Sequence, residues 1–199
     1  ALERLLYHWN AIPESERSRF ASVSALCKDE KGEIIGTRFP GDVFDSDVIA
    51  VHAKYKVKGD KWAFYRTDVL REISVPEVPG ERRIASSWVW YKVAQKYKTR
   101  FVNEALLIKE YQADGLTRNL VKVRVQNPIG TRMYYLECLS IPANLRFKLR
   151  NAINYIRFAL HGSMKYFQVV KESRRPVLVT LLFLPGYCLY LKDRNLLQR

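Results

Sequence analysis

From Ala1 to Trp9 the chain reads ALERLLYHW, with apolar residues recurring at helical spacing among charged ones. This predicts an amphipathic helix. It should stop near Asn10, because Ile12-Pro13 disfavours continuation. A chain that opens inside a helix, with no Met near the start, is expected to have an upstream part, and no signal peptide precedes the helix. Phe20 to Cys27 (FASVSALC) alternates as a strand. The polar turn Lys28 to Gly32 follows, and Glu33 to Phe39 reads as the return strand, ended by Pro40-Gly41. Val48 to Val57 is apolar, with strand expected at Ala53 to Val57, and Gly59-Asp60 is a turn. Tyr65 to Ile73 predicts a short helix capped by Thr67. Pro76 and Pro79-Gly80 mark a loop. Ser86 or Ser87 can then cap a helix to about Tyr97, and Thr99 to Ile108 reads as strand, broken at Asn103-Glu104. Gly115-Leu116-Thr117 opens a helical region interrupted at Asn127-Pro128. Strands alternating with short helices over residues 20–112 indicate an α/β fold.

Beyond a boundary near Pro128 to Pro142 the pattern becomes helical and basic. Residues 143–171 carry an apolar stripe at Leu149, Ile153, Ile156, Leu160, Met164 and Phe167, the spacing of one helix face. Arg146, Arg150, Arg157, His161 and Lys165 form a row beside it. Such a row can snorkel toward lipid phosphates or form the solvated edge of a packed helix. Pro176 to Leu191 holds no charged residue. That run is shorter than the roughly 20 apolar residues of a spanning helix, and Pro185-Gly186 breaks it. Basic residues at both of its ends point to shallow insertion from one side of a membrane rather than to a buried helix.

Composition sharpens this division. Hydrophobic residues make up 48% and charged residues 27%, which is the composition of a folding chain. The net charge is +14. Residues 146–199 hold 11 Lys/Arg against 2 Asp/Glu, and the rest of the chain holds 23 against 18. The excess therefore belongs to the tail, which can seek anionic lipid, nucleic acid or an acidic partner. Nucleic-acid binding is disfavoured, since it would put aromatics among Lys/Arg on a sheet, whereas these charges line a helix and flank an apolar run. Cys27, Cys138 and Cys188 are odd in number and far apart, so neither a disulfide framework nor a zinc motif is indicated.

Candidate chemistry is sparse. His8, His52 and His161 are isolated, and no glycine-rich phosphate loop or nucleophile elbow is present. Asp45-Ser46-Asp47 has the spacing of a cation-binding carboxylate pair, but loop-like residues precede it, and a solvated acidic loop is the preferred reading, with no metal ligand assigned. Trp62 and Trp90 could offer faces for sugar stacking or pack in the core, and core packing is favoured for Trp88. Asp114 beside Gly115 could bind hydroxyls or cap the following helix.

A resemblance emerges from the order of several segments. Gly59-Asp60-Lys61-Trp62 followed by Tyr65-Arg66-Thr67-Asp68-Val69-Leu70 resembles the part of bacterial family 2 glycosyltransferases where a turn near the sugar site leads into a short helix. Pro76-Glu77-Val78-Pro79-Gly80-Glu81, Trp88-Val89-Trp90 and Lys96-Tyr97-Lys98 are similar to the stretch carrying that family's catalytic acid. Arg100 to Glu104 and Glu110 to Thr117 resemble the next strand and the loop closing over the acceptor, and Leu184-Pro185-Gly186 with Tyr190 to Asp193 resemble the tail.

The resemblance implies the C-terminal, acceptor-side part of a GT-A (nucleotide-diphospho-sugar transferase) fold over residues 1–128, followed by a basic amphipathic helical tail over 129–199. It implies inverting transfer from a nucleotide-sugar donor to a glycan or lipid-linked acceptor at the cytoplasmic, inner face of the cell membrane. A divalent cation (Mg or Mn) is expected, with the loops that hold it and the nucleotide upstream of Ala1. Asp60, Lys61, Trp62, Trp90, Asp114 and Gly115 are then the expected acceptor or sugar contacts. The chain departs from the family at the acid, where Ser86 stands in Ala85-Ser86-Ser87-Trp88. A serine cannot act as the base without an activating group. Glu81 is the nearest substitute, and without a base the chain is expected to be inactive alone. The competing expectation is a non-catalytic basic module that binds anionic membrane or nucleic acid.

Overall fold

In the computed structural model, which describes residues 1–111 and 119–197, the chain is mixed α/β and divides into two units. The first comprises residues 1–74 and the stretch from Val89 through the last strand. Its elements are α1 (Leu2–Asn10), α2 (Glu14–Arg17), β1 (Phe20–Lys28), β2 (Val43–Ser46), α3 (Val48–Ala53), β3 (Lys61–Tyr65), α4 (Thr67–Arg71), α5 (Ser87–Ala94, beginning on residues of the second unit) and β4 (Lys98–Ile108).

The sheet order is β2-β4-β1-β3. β1 runs parallel to β4 and antiparallel to β3, and β2 pairs antiparallel with the outer side of β4. Every β1 residue from Phe20 to Cys27 is buried, as expected of a strand covered on both faces. One cluster joins Leu5 of α1 to Val23, Ala25 and Val102, with Trp9, Trp62 and Phe64 packed around it. Another joins Ala21, Val69 and Val93, with Tyr65, Val89 and Tyr97 packed around it. The buried hydroxyls of Ser22 and Thr99 satisfy each other at 2.6 Å across β1 and β4.

Three expectations need correction here. Glu33 to Phe39 does not form a return strand; only an isolated bridge joins Lys28 to Ile34. Both sides of β1 are already paired, so no edge remains for it. The segment instead crosses Lys58-Gly59, with Gly36 and Gly59 at φ of 84° and 80°. A Cβ on Gly59 would lie 2.7 Å from Gly36 Cα, so the crossing needs glycine on both sides. Second, no strand forms at Ala53 to Val57; the apolar run is instead helical over Val48–Ala53, with Asp47 Oδ1 accepting the Ala50 N–H at 2.8 Å as its cap. Third, Lys61–Tyr65 is a strand that the sequence pattern did not predict, and Arg66, not Thr67, is the N-cap of α4. The break anticipated at Asn103-Glu104 is a bulge within one strand, where β1 steps from Ala25 to Leu26 while β4 steps from Val102 to Ala105. The two extra residues do separate work. Asn103 pins the preceding loop through Phe39 N (2.8 Å), Phe39 O (3.1 Å) and Gly41 O (2.9 Å). Glu104 accepts from the Arg4 guanidinium at 2.6 and 2.9 Å and bonds His8 at 2.6 Å, tying α1 to the sheet.

The second unit holds residues 75–88 and the chain after 118, with α6 (Leu120–Val125), α7 (Pro128–Ser140), α8 (Leu145–His161), α9 (Tyr166–Glu172), α10 (Pro176–Leu181) and α11 (Phe183–Leu197). The expected continuous helix over 143–171 is two helices, because Gly162 caps α8 and Ser163 adopts a φ of 60°. Its buried face also differs from the expected stripe. Phe147, Asn151, Ala152, Tyr155, Ile156, Phe158 and Ala159 are buried, while Phe167 is exposed. Arg157 and His161 are not a lipid-facing row. Both reach Asp193 of α11, which is 1% exposed. Arg157 grips it with two hydrogen bonds of 2.5 and 2.6 Å, and His161 Nε2 lies 3.1 Å away. No helix among the described residues is long and apolar enough to cross a membrane.

This buried triad generates two predictions. Asp193→Asn strands the Arg157 charge and should cost about 3–5 kcal/mol in urea unfolding, where a loss under about 1 kcal/mol would contradict the assignment. Burial holds the His161 pKa below its ordinary 6.5, against the pull of Asp193. The unfolded chain therefore takes up the proton first, and stability should fall as pH drops through about 6.5. Unfolding curves at pH 7.5 and 5.5 should show that fall in the wild type and a smaller one in His161→Gln.

Candidate functional site

The parallel pair β1/β4 ends at Lys28 and Ile108, and the turn that starts β3 meets it there. In open α/β sheets the carboxyl ends of parallel strands are where ligands commonly bind. Asp60 sits at this end. Its Oδ2 accepts from Tyr111 OH at 2.6 Å and from Lys109 Nζ, while Oδ1 makes no hydrogen bond among the described residues. The Asp60 side chain keeps 42% of its surface exposed.

The neighbouring groups fix this carboxylate. Burial raises the Asp60 pKa, but the hydrogen bonds from Lys109 and Tyr111 and the nearby ammonium charges outweigh it and hold the pKa below its ordinary value. The same bond to Asp60, with burial adding to it, pushes Tyr111 up to about 12. Lys61 is engaged by nearby backbone carbonyls. Its Nζ donates to the carbonyls of Lys58 (2.7 Å), Ile35 (3.4 Å) and Gly59 (3.5 Å), which ties down the glycine crossing beneath Asp60. Burial lowers the Lys61 pKa, opposed by Cys27 and Asp60. Cys27 is buried, and burial raises its thiol pKa.

The other expected contacts scatter. Trp62 packs against the cluster of Leu5, Val23, Ala25 and Val102. Trp90 stacks on Tyr65 with centroids 4.4 Å apart and an 18° interplanar angle, so one of its faces is covered. Asp114 and Gly115 lie outside the described residues. Asp45 makes a two-pronged pair with Arg100 at 2.7 and 2.8 Å, and Asp47 caps α3. No group of three or more acidic, His or Cys side chains among the described residues could hold a metal ion.

In the second unit, Glu81 accepts backbone N–H bonds from Ile129 (2.6 Å) and Gly130 (2.7 Å), serving the N-terminus of α7. A Cβ on Gly130 would lie 2.9 Å from Arg83 O and 3.2 Å from Glu81 Oε2, so glycine is what lets the loop approach the helix. Asn127 Oδ1 accepts from Arg82 N at 2.8 Å and fixes the same loop. With both oxygens engaged, Glu81 is a helix-capping carboxylate in this conformation. It lines a cleft of about 420 Å³ between Val75 and Ile84, beside Arg83, whose buried Nη1 has no hydrogen-bond partner among the described residues. Ser86 is exposed.

Lys109 was given no role by the sequence, and Tyr111 figured only as part of the segment resembling the acceptor loop. The available signal was their place just beyond the end of a predicted strand, where a charged and a hydroxyl side chain can face a ligand. Asp60→Asn should return Tyr111 from about 12 toward the ordinary value of about 10, readable by ¹³C-tyrosine NMR titration. An unchanged Tyr111 would mean that the bond to Asp60 is not what raises it. No protein-family model matches the chain, and no curated protein or solved structure matches it.

Proposed function

We propose that this chain is the acceptor-side part of an inverting family 2 glycosyltransferase of GT-A fold, and that residues 59–61 and 109–111 contribute to its sugar site. The observation that carries the reading is the Asp60 cluster. Two segments singled out by the resemblance, Gly59-Asp60-Lys61 and Glu110-Tyr111, are far apart in sequence, yet Asp60 and Tyr111 are hydrogen-bonded. A carboxylate with one oxygen held by Lys109 and Tyr111 and the other open suits a sugar hydroxyl, which would donate to Oδ1. Further support comes from the sheet, whose edge strands β2 and β3 each pair on one side only among the described residues. An upstream half with further strands could continue it.

Transfer with inversion needs a base to take the acceptor proton as the hydroxyl attacks the anomeric carbon. Neither residue expected at that position is arranged for it. Ser86 lacks an activating partner among the described hydrogen bonds, and both Glu81 oxygens serve α7. The reading is therefore of a chain that binds sugar and does not transfer it alone.

The test is a binding and turnover screen of nucleotide sugars and oligosaccharides, run on this chain and on a version carrying any coding sequence that precedes Ala1. Carbohydrate binding weakened about tenfold by Asp60→Ala is expected, the loss of one charge-assisted hydrogen bond. Transfer is expected only with the preceding sequence. Turnover by this chain alone, abolished by Glu81→Gln, would overturn the inactive reading. Absence of carbohydrate binding in both forms would overturn the family assignment.

A further inference from the structure

α11 packs on α8 through a face set by two residues. Gly186 is buried, and a Cβ there would lie 2.6 and 2.7 Å from side-chain atoms of Ile156, so only glycine permits this approach. Two turns later, Asp193 is buried against Arg157 and His161. With that face turned inward, Leu184, Cys188 and Leu191 are turned outward and exposed. α10 repeats the arrangement, with Val179 wholly buried and Val177 and Leu181 at 72% and 73% exposed. Leu184 is 70% exposed. Phe167 on α9 is 81% exposed, and the Tyr166 ring beside it contacts both Phe167 and Phe183 edge-on. Val177, Leu181, Leu184, Cys188 and Leu191 follow one another at three- and four-residue steps, a single outward stripe across α10 and α11. Folded monomers seldom leave so large an apolar run in water without a partner.

The charges select the partner. Lys171, Arg174 and Arg175 stand exposed before the stripe, and Lys192 and Arg194 stand exposed after it. The acidic residues from 146 to 199 are Glu172 and Asp193. Glu172 is engaged by Arg132 and Tyr155, and Asp193 by Arg157 and His161. These two carboxylates are thus neutralised within the unit, while Lys171, Arg174, Lys192 and Arg194 stay exposed at the ends of the stripe. A second copy would set cations against cations. A surface of anionic headgroups over hydrocarbon matches both the stripe and its rim.

We propose that α9, α10 and α11 form a shallow docking surface for an anionic lipid leaflet. Phe167, Val177, Leu181, Leu184 and Leu191 enter the headgroup–acyl boundary, and the flanking Lys and Arg at both ends stay among the phosphates of that same leaflet. No helix here is long enough to span. The inference concerns the second unit alone and does not depend on the sugar-transfer reading.

Cys188 supplies the readout, since it is exposed while Cys27 and Cys138 are buried. An environment-sensitive dye on Cys188 of the full chain is mixed with phosphatidylglycerol-containing vesicles or with pure phosphatidylcholine vesicles. Flotation with the anionic vesicles and a blue shift of the dye are expected, with little of either on phosphatidylcholine. Leu181→Asn with Leu184→Asn should reduce partitioning at least about tenfold. Both sites are exposed, and circular dichroism should show the fold intact. Lys192→Gln should reduce partitioning about fivefold. Anionic vesicle binding with an unshifted dye would overturn the proposal, because contact would then be electrostatic and elsewhere. So would a lipid-free blue shift that grows with protein concentration, the signature of self-association, or RNA retention without vesicle binding.

Discussion

The burial of β1 between a parallel and an antiparallel neighbour is the constraint on which the first unit depends. Each residue from Phe20 to Cys27 loses its contact with water, and both hydrogen-bonding edges are taken. Small residues at Ala21, Ser22, Ser24 and Ala25 allow packing on both faces, and the polar cost at Ser22 is offset by Thr99. The consequences spread outward. With no free edge, residues 33–39 must leave the sheet and cross Lys58-Gly59. That crossing delivers Asp60 to the end of the parallel pair, where β4 brings Lys109 and Tyr111. The candidate site thus follows from strand pairing, and its residues do not need to be neighbours in sequence.

The second unit follows an electrostatic logic. Three of its carboxylates are used internally: Glu81 on the N-terminus of α7, Glu172 with Tyr155 and Arg132, Asp193 with Arg157 and His161. A buried ion pair such as Arg157–Asp193 contributes little net stability over apolar packing but is costly to break. It fixes which faces of α8 and α11 meet. The same pairing leaves the outer surface basic, so the interior contacts and the surface charge have one origin.

Much of this was legible in local pattern. The first helix, the strand at Phe20, the loop of prolines after residue 75, an irregularity at Asn103-Glu104 and the basic tail all have causes within a few residues of themselves. What was not legible required knowledge of partners. Glu33 to Phe39 has strand-like alternation, yet a strand also needs a free edge, and that depends on β3 and β4. Lys61–Tyr65 is short, and its apolar residues cannot be told from a helix start by periodicity alone. Arg157 and His161 sit at the spacing of a solvated basic row, and only Asp193, 36 and 32 residues away in sequence, shows that they face inward. In the candidate site, Asp60 was legible as a turn carboxylate. Lys109 became visible only once β4 was seen to run parallel to β1, and so did the contact of Tyr111 with Asp60.

Native-state hydrogen exchange tests the central role of β1 most directly. If β1 is the doubly paired strand of the sheet, the amides of Val23 to Leu26 should exchange only through global unfolding, and their protection should match the free energy from urea denaturation. Amides of the edge strand β2 should open at lower cost. Exchange at Val23 to Leu26 as fast as at Val43 to Ser46 would contradict the account, since the placement of Asp60 beside Lys109 and Tyr111 would then lack its support.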